Sequence, residues 1–173
     1  MTLLRKTYYN SPSGQDKRLG FAAGDSETKE RVLFACLFNL AGYLCREAGD
    51  FMDRRVDEIF QLGGIVLSRQ ARIGGNGKDR ELVLSALRCF TDIFRHCGEG
   101  VEGKVEVATA MVVGWLRDKG EVGGQAEECL KVMCGLDFEG VWEGLVKGGG
   151  ERGIGVVRWF EQGSDERSES RLG

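Results

Sequence analysis

Residues 81–97 read "ELVLSALRCFTDIFRHC". Leu82, Val83, Ala86, Leu87, Phe90, Ile93, Phe94 and Cys97 recur at i, i+3, i+4 and i+7, the spacing that gathers side chains onto one stripe of an α-helix. A half-buried strand would alternate apolar and polar residues instead. The segment therefore predicts an amphipathic helix and sets the fold class as all-α.

The same spacing continues on both sides. Upstream it predicts a helix over 27–47, with Val32, Leu33, Cys36, Leu37, Leu40, Ala41 and Leu44 as its core stripe, and another over 51–69, with Met52, Val56, Ile59, Phe60, Gly63, Val66 and Leu67. Downstream it predicts helices over 102–118 (Val105, Ala108, Met111, Val112, Trp115, Leu116), 123–135 (Ala126, Cys129, Leu130, Met133) and 138–147 (Val141, Trp142, Leu145). A short last helix falls in "IGVVRWFEQ". Consecutive helices on short turns favour antiparallel pairing, which gives three hairpins of about 35 to 50 residues, the size of HEAT and armadillo repeats. The expected architecture is an α-solenoid of such hairpins over 27–161, with a flexible arm over 1–26 and a disordered tail over 162–173.

A second stripe on the 51–69 helix, Phe51, Arg55, Glu58, Leu62, Ile65 and Arg69, is half apolar. A solenoid helix has this character because it touches both its hairpin partner and a neighbouring repeat. Phe51, Arg55, Leu62 and Ile65 are expected to meet a preceding repeat, or the arm, whose anchors are Leu3, Leu4, Tyr8 and Tyr9.

Between the first two helices stands "AGDFMDRRV", residues 48–56. Gly49 suits a left-handed helix terminus and Asp50 an N-cap, with Asp53 adding negative charge near the positive end of the helix dipole. The stretch reads as a tight turn. A cation site built on Asp50, Asp53 and Asp57 lacks the loop and glycine placement of a calcium loop. Capping leaves Arg54 and Arg55 unexplained, which makes them candidates for partner binding. Further on, "GGNGKD" resembles a phosphate loop only superficially, since Arg72 and Asp79 stand where a Walker loop has glycine and a hydroxyl. Asp79 is expected to cap the Leu82 helix instead.

The 173 residues suffice for one compact domain, and a formal charge of -3 offers no basic excess for a phosphate backbone. Nucleic acid and membrane partners are not expected, and the absence of a secretory pattern points to an intracellular protein. Six cysteines, Cys36, Cys45, Cys89, Cys97, Cys129 and Cys134, fall inside helical patterns and read as reduced core residues. The single histidine, His96, has no second ligand cluster for a metal, and without a convincing acidic and nucleophilic partner it leaves little for acid-base or nucleophilic catalysis. The aromatic residues Trp115, Trp142, Trp159 and Phe160 lie on apolar stripes, and Trp159 and Phe160, at the end of the folded region, are the least secure as core.

Taken in order, "AGDFMDRRV", "ELVLSALRCFTDIFRHCGEGVEGKVEVATAMVVGWL" and "QAEECLKVMCGLDFEGVWEGL" resemble the C-terminal helical repeats of the first TELO-two-interacting proteins, subunits of the TTT complex. The likeness covers about residues 28 to 161, and includes the Ala-Gly-Asp-Phe turn with its basic pair and the Asp137…Trp142 element. The high glycine content, "KGGGERG" and the Gly63-Gly64 pair depart from the pattern.

The resemblance implies a fragment of a longer, cytoplasmic and nuclear, non-catalytic scaffold without cofactor or metal. It implies as partners the TELO-two protein, the second TELO-two-interacting protein, phosphatidylinositol-3-kinase-related kinases, and the heat-shock chaperone with its AAA+ ATPase co-chaperone machinery. The candidate partner-binding residues are Trp159, Phe160, Trp142, Arg54, Arg55, Leu62 and Ile65. Another HEAT or armadillo adaptor, in transport or chromosome organisation, and a thiol enzyme using Cys97 beside His96 are the alternatives.

Overall fold

The computed structural model describes residues 23–73, 79–101, 103–118 and 120–149. Among them the regular structure is entirely helical. Helix α1 runs Ala23–Glu47 and is followed by the one-turn α2, Gly49–Met52, and a 3-10 turn, Asp53–Arg55. Next come α3 (Val56–Ile73), α4 (Arg80–His96), α5 (Val105–Val112) with a 3-10 continuation over Val113–Arg117, α6 (Glu121–Leu136) and α7 (Phe138–Gly149). The all-α expectation holds. The predicted helix over 102–118 is half α and half 3-10, and the chain is already helical at Ala23, inside the expected arm. The helix "IGVVRWFEQ", the arm anchors and the 74–78 loop lie outside the described residues.

The most extensive packing joins alternate helices rather than consecutive ones: α1 lies along α4, α4 along α6, and α5 along α7. Side-chain pairs give the direction. Arg31 pairs with Asp79 at 2.8 Å and Arg46 with Asp92 at 2.5 Å, so α1 and α4 run parallel. Arg88 reaches Glu121 at 2.6 Å and Arg95 reaches Glu128, both across 33 residues, so α6 runs parallel to α4 in turn. In the second row Lys104 pairs with Asp57 at 3.1 Å and the Met111 side chain lies against Gly64, while Gly140 sits beside Val105 and Gly144 beside Thr109. The pairs exposed on both sides, Arg88–Glu121 and Arg95–Glu128, add little energy each, and all of these contacts record the register.

Helix α4 is the centre of the molecule. Every residue from Leu82 to Phe94 except Arg88 is buried, because α1, α3 and α6 all pack on it. Phe60 of α3 stacks on Phe90 at 4.5 Å and meets Phe94 edge-on at 5.8 Å. Gly63 makes that stack fit, since a Cβ there would come within 2.3 Å of the Phe90 ring. On α6 the predicted stripe Ala126, Cys129, Leu130 and Met133 is buried as expected.

Helix α1 differs from expectation. Its buried stripe is Phe34, Ala35, Phe38, Gly42 and Cys45, whereas Val32, Leu33, Cys36, Leu40 and Leu44, assigned to the core from sequence, are exposed. The helix is apolar on almost every side, so periodicity alone does not choose the face that packs. Small residues at 42 and 45 let α4 approach, and Gly42 leaves room for the Asp92 carboxylate, whose oxygen would lie 2.7 Å from a Cβ there.

The turn at 48–56 is also corrected. Gly49 is not left-handed; among the described residues the glycine with positive φ is Gly103, at 67°. Gly49 is small because a Cβ would fall 2.0 Å from the carbonyl oxygen of His96. Asp50 lies inside α2, whose N-cap position is Ala48 and carries no side-chain cap bond. Asp53 does the joining: its Oδ1 accepts the Gly100 N–H at 3.3 Å, tying the first inter-helix turn to the second across 47 residues. Asp79 makes no cap bond either, since its carboxylate turns to Arg31. The side-chain cap among these acids is Asp137, which accepts the Gly140 N–H at 2.8 Å at the start of α7.

Candidate functional site

Between α1 and α3 lies an apolar groove of about 340 Å³. Leu37, Leu40, Ala41 and Leu44 of α1 line one side, and Ile59 and Leu62 of α3 the other. The buried Phe34, Phe38 and Met52 also line it, and so does Arg55, whose guanidinium stands 3.5 Å from Glu58. The groove arises because α1 and α3 each pack on α4 and make few close approaches to one another. Its chemistry is that of an apolar slot with one cation at its margin, which suits an amphipathic helix presenting apolar anchors.

Two of the predicted partner-binding residues, Arg55 and Leu62, meet here. Arg54 is exposed and Ile65 half-buried, and neither lines the groove. Phe51, beside the groove residue Met52 in sequence, is 74% exposed. Trp142 stands at the other end of the molecule on α7, 38% exposed, with Phe138 and Val146 one turn to either side also exposed, while Val141 and Leu145 of the same helix are buried. Trp115 is half-buried. Trp159 and Phe160 lie outside the described residues. The sequence reading missed Leu37, Leu40 and Leu44 as groove residues because it had counted them as core. The available signal was that α1 carries more apolar positions than one packed stripe uses.

The thiols are mostly enclosed. Cys45, Cys89, Cys97 and Cys129 are buried and Cys134 half-buried, whereas Cys36 is exposed, against the expectation of a core thiol. Burial pushes the Cys97 thiol up, and it pushes Cys45 and Cys129 up to about 12. The thiolate is the reactive species, so an enclosed Cys97 is poorly placed as a nucleophile. His96, next to it in sequence, is exposed. Among the described residues no three His, Cys, Asp or Glu side chains gather in a way that would hold a metal ion. No protein-family profile, curated protein or solved structure matches this chain.

Proposed function

We propose that this chain is a non-catalytic scaffold, a HEAT-like α-solenoid segment that works by docking helices of partner proteins. The observation that carries the reading is the repeated parallel register: α1 to α4 to α6 in one row, and α3 to α5 to α7 in the other. Translation of one helix pair onto the next is the geometry of repeat arrays, in which each unit touches its neighbours and the two ends keep apolar faces for capping or binding. The groove and the Trp142 face are those ends.

The finer proposal rests on the sequence resemblance: a place in the TTT co-chaperone complex, joining the TELO-two protein and the second TELO-two-interacting protein. There it would act with the heat-shock chaperone and AAA+ ATPase machinery to support maturation and stability of phosphatidylinositol-3-kinase-related kinases, in cytoplasm and nucleus.

The test is co-elution of the purified 173-residue chain with these two subunits on a sizing column. A stable complex is expected, weakened by Leu62→Arg in the groove. Trp142→Ala should weaken it by about 2 kcal/mol if this tryptophan anchors a partner, with little loss of stability. Absence of any complex rejects the TTT assignment. Retained binding by both variants rejects the two faces as docking sites.

A further inference from the structure

The groove between α1 and α3 is open along both walls: Leu40 is 54% exposed and Leu44 37%, and Leu37 and Leu62 are half-buried. Helix α3 runs antiparallel to α4, since Asp53 meets Gly100 and Gly63 meets Phe90, and therefore antiparallel to α1. The groove accordingly runs from Leu37 and Leu62 at one end to Leu44, Met52 and Arg55 at the other. Acids gather at that second end. Glu47 and Asp50 are exposed, and Glu58, beside Arg55, has an enclosed Oε2 without a hydrogen-bond partner.

We propose that residues 3–9 of the same chain occupy this groove, so that the molecule holds its own docking site closed until a partner helix displaces the segment. The stretch reads "LLRKTYY", four large apolar residues around the cations Arg5 and Lys6, which matches an apolar slot with an acidic mouth. It precedes Ala23, the first residue of α1, and α1 is itself one wall of the slot. From Ala23 to Leu44 is about 32 Å at the rise of an α-helix. Residues 10–22, fully extended, span about 45 Å, so the segment reaches the whole groove. Entering from the α1 N-terminus sets Tyr8 and Tyr9 against Leu37 and Leu62, carries Leu3 and Leu4 on toward Leu44 and Met52, and brings Arg5 and Lys6 to the acidic mouth. The apolar stretch at residues 154–160 is less well placed, because it follows α7, two helix spacings or about 16 to 20 Å from the α3 wall.

The inference rests on the groove being a helix-docking site, and its test uses no partner. A chain that binds partners without the internal contact loses this inference alone; a chain with the internal contact and no partner complex loses only the docking function.

The test attaches a nitroxide to the exposed Cys36, beside the groove residue Leu37, in the full chain carrying Cys134→Ser. The amide NMR signals of residues 3–9 should be lost to paramagnetic broadening. Leu62→Arg should restore them, and so should the paired Arg5→Glu, Lys6→Glu change, which leaves every described helix untouched. In a second measurement, a fluorescent peptide of residues 1–12 should bind the chain carrying Leu4→Asp and Tyr8→Asp at least about tenfold more tightly than the native chain, whose own tethered segment competes. Signals that the label leaves sharp, or that stay broadened in either variant, overturn the proposal. So does broadening that passes between a labelled and an unlabelled copy, which gives the groove to a second molecule, or that falls on residues 154–160 instead. A peptide that does not distinguish the two chains overturns it as well.

Discussion

The Phe60 ring lies flat against the Phe90 ring, centroids 4.5 Å apart and planes inclined by 6°, so α3 is seated on α4 by an aromatic stack. The stack exists because Gly63, one turn further along α3, offers no side chain to the Phe90 edge. Gly63→Ala would raise helix propensity by about 1 kcal/mol, yet its Cβ has no room and Phe60 blocks retreat of the ring. Overpacking should win, with a net loss of about 1 to 3 kcal/mol in urea denaturation. A stabilised Gly63→Ala protein would mean that the stack is looser than described.

The three acids of the turns should separate cleanly on substitution. Asp137→Ala removes a helix cap and should cost about 1 kcal/mol. Asp53→Ala removes the bond to the Gly100 N–H and should cost a similar amount, about 0.5 to 1.5 kcal/mol. Asp50→Ala touches an exposed residue without a cap bond and should stay within about 0.5 kcal/mol of the native protein. Chemical denaturation of the three variants side by side decides the ranking, and a large effect at Asp50 alone would restore the capping reading of the sequence.

Asp92 is held above its ordinary 3.8 chiefly by burial, against the pull of Arg46, His96 and Arg95. Because the folded-state value lies above the unfolded one, protonation favours folding: the contribution is fully present below 3.8 and is lost as pH rises through the folded value. Asp92→Asn should remove that pH dependence from the stability curve. Arg46→Met should move the carboxyl further up, read by carbon NMR titration of Asp92, and a downward movement would show that Arg46 does not stabilise the carboxylate.

Thiol labelling should resolve one fast site. At neutral pH the exposed Cys36 should be labelled first by iodoacetamide, while the buried Cys45, Cys89, Cys97 and Cys129 react only as the protein opens. Mass spectrometry of the labelled peptides gives the order. Rapid labelling of Cys97 in the folded protein would revive the thiol-enzyme alternative.

The sequence by itself determined the helical class and the buried face of α6, whose apolar residues form one clear stripe bounded by charge, so a 3.6-residue period leaves one way to bury them. On α4 it placed the stripe from Leu82 to Cys97 in the core, but three packed neighbours also bury Leu84, Ser85, Thr91 and Asp92. It also placed punctuation at residues 48–56, since glycine and acid residues interrupt the apolar pattern there.

Tertiary structure decided the rest. Helix α1 is apolar on most sides, and only the fit of Phe34, Phe38, Gly42 and Cys45 against α4 selects its buried face and leaves Leu33, Leu40 and Tyr43 in water. The partners of Asp53 and Asp79 lie 47 and 48 residues away, beyond the reach of any local capping rule, so their carboxylates were legible as charges but not as the links that register one helix pair on the next. The groove shares that origin: it is the space left where two helices rest on a third without meeting, a property of three segments at once that no single stretch of sequence contains.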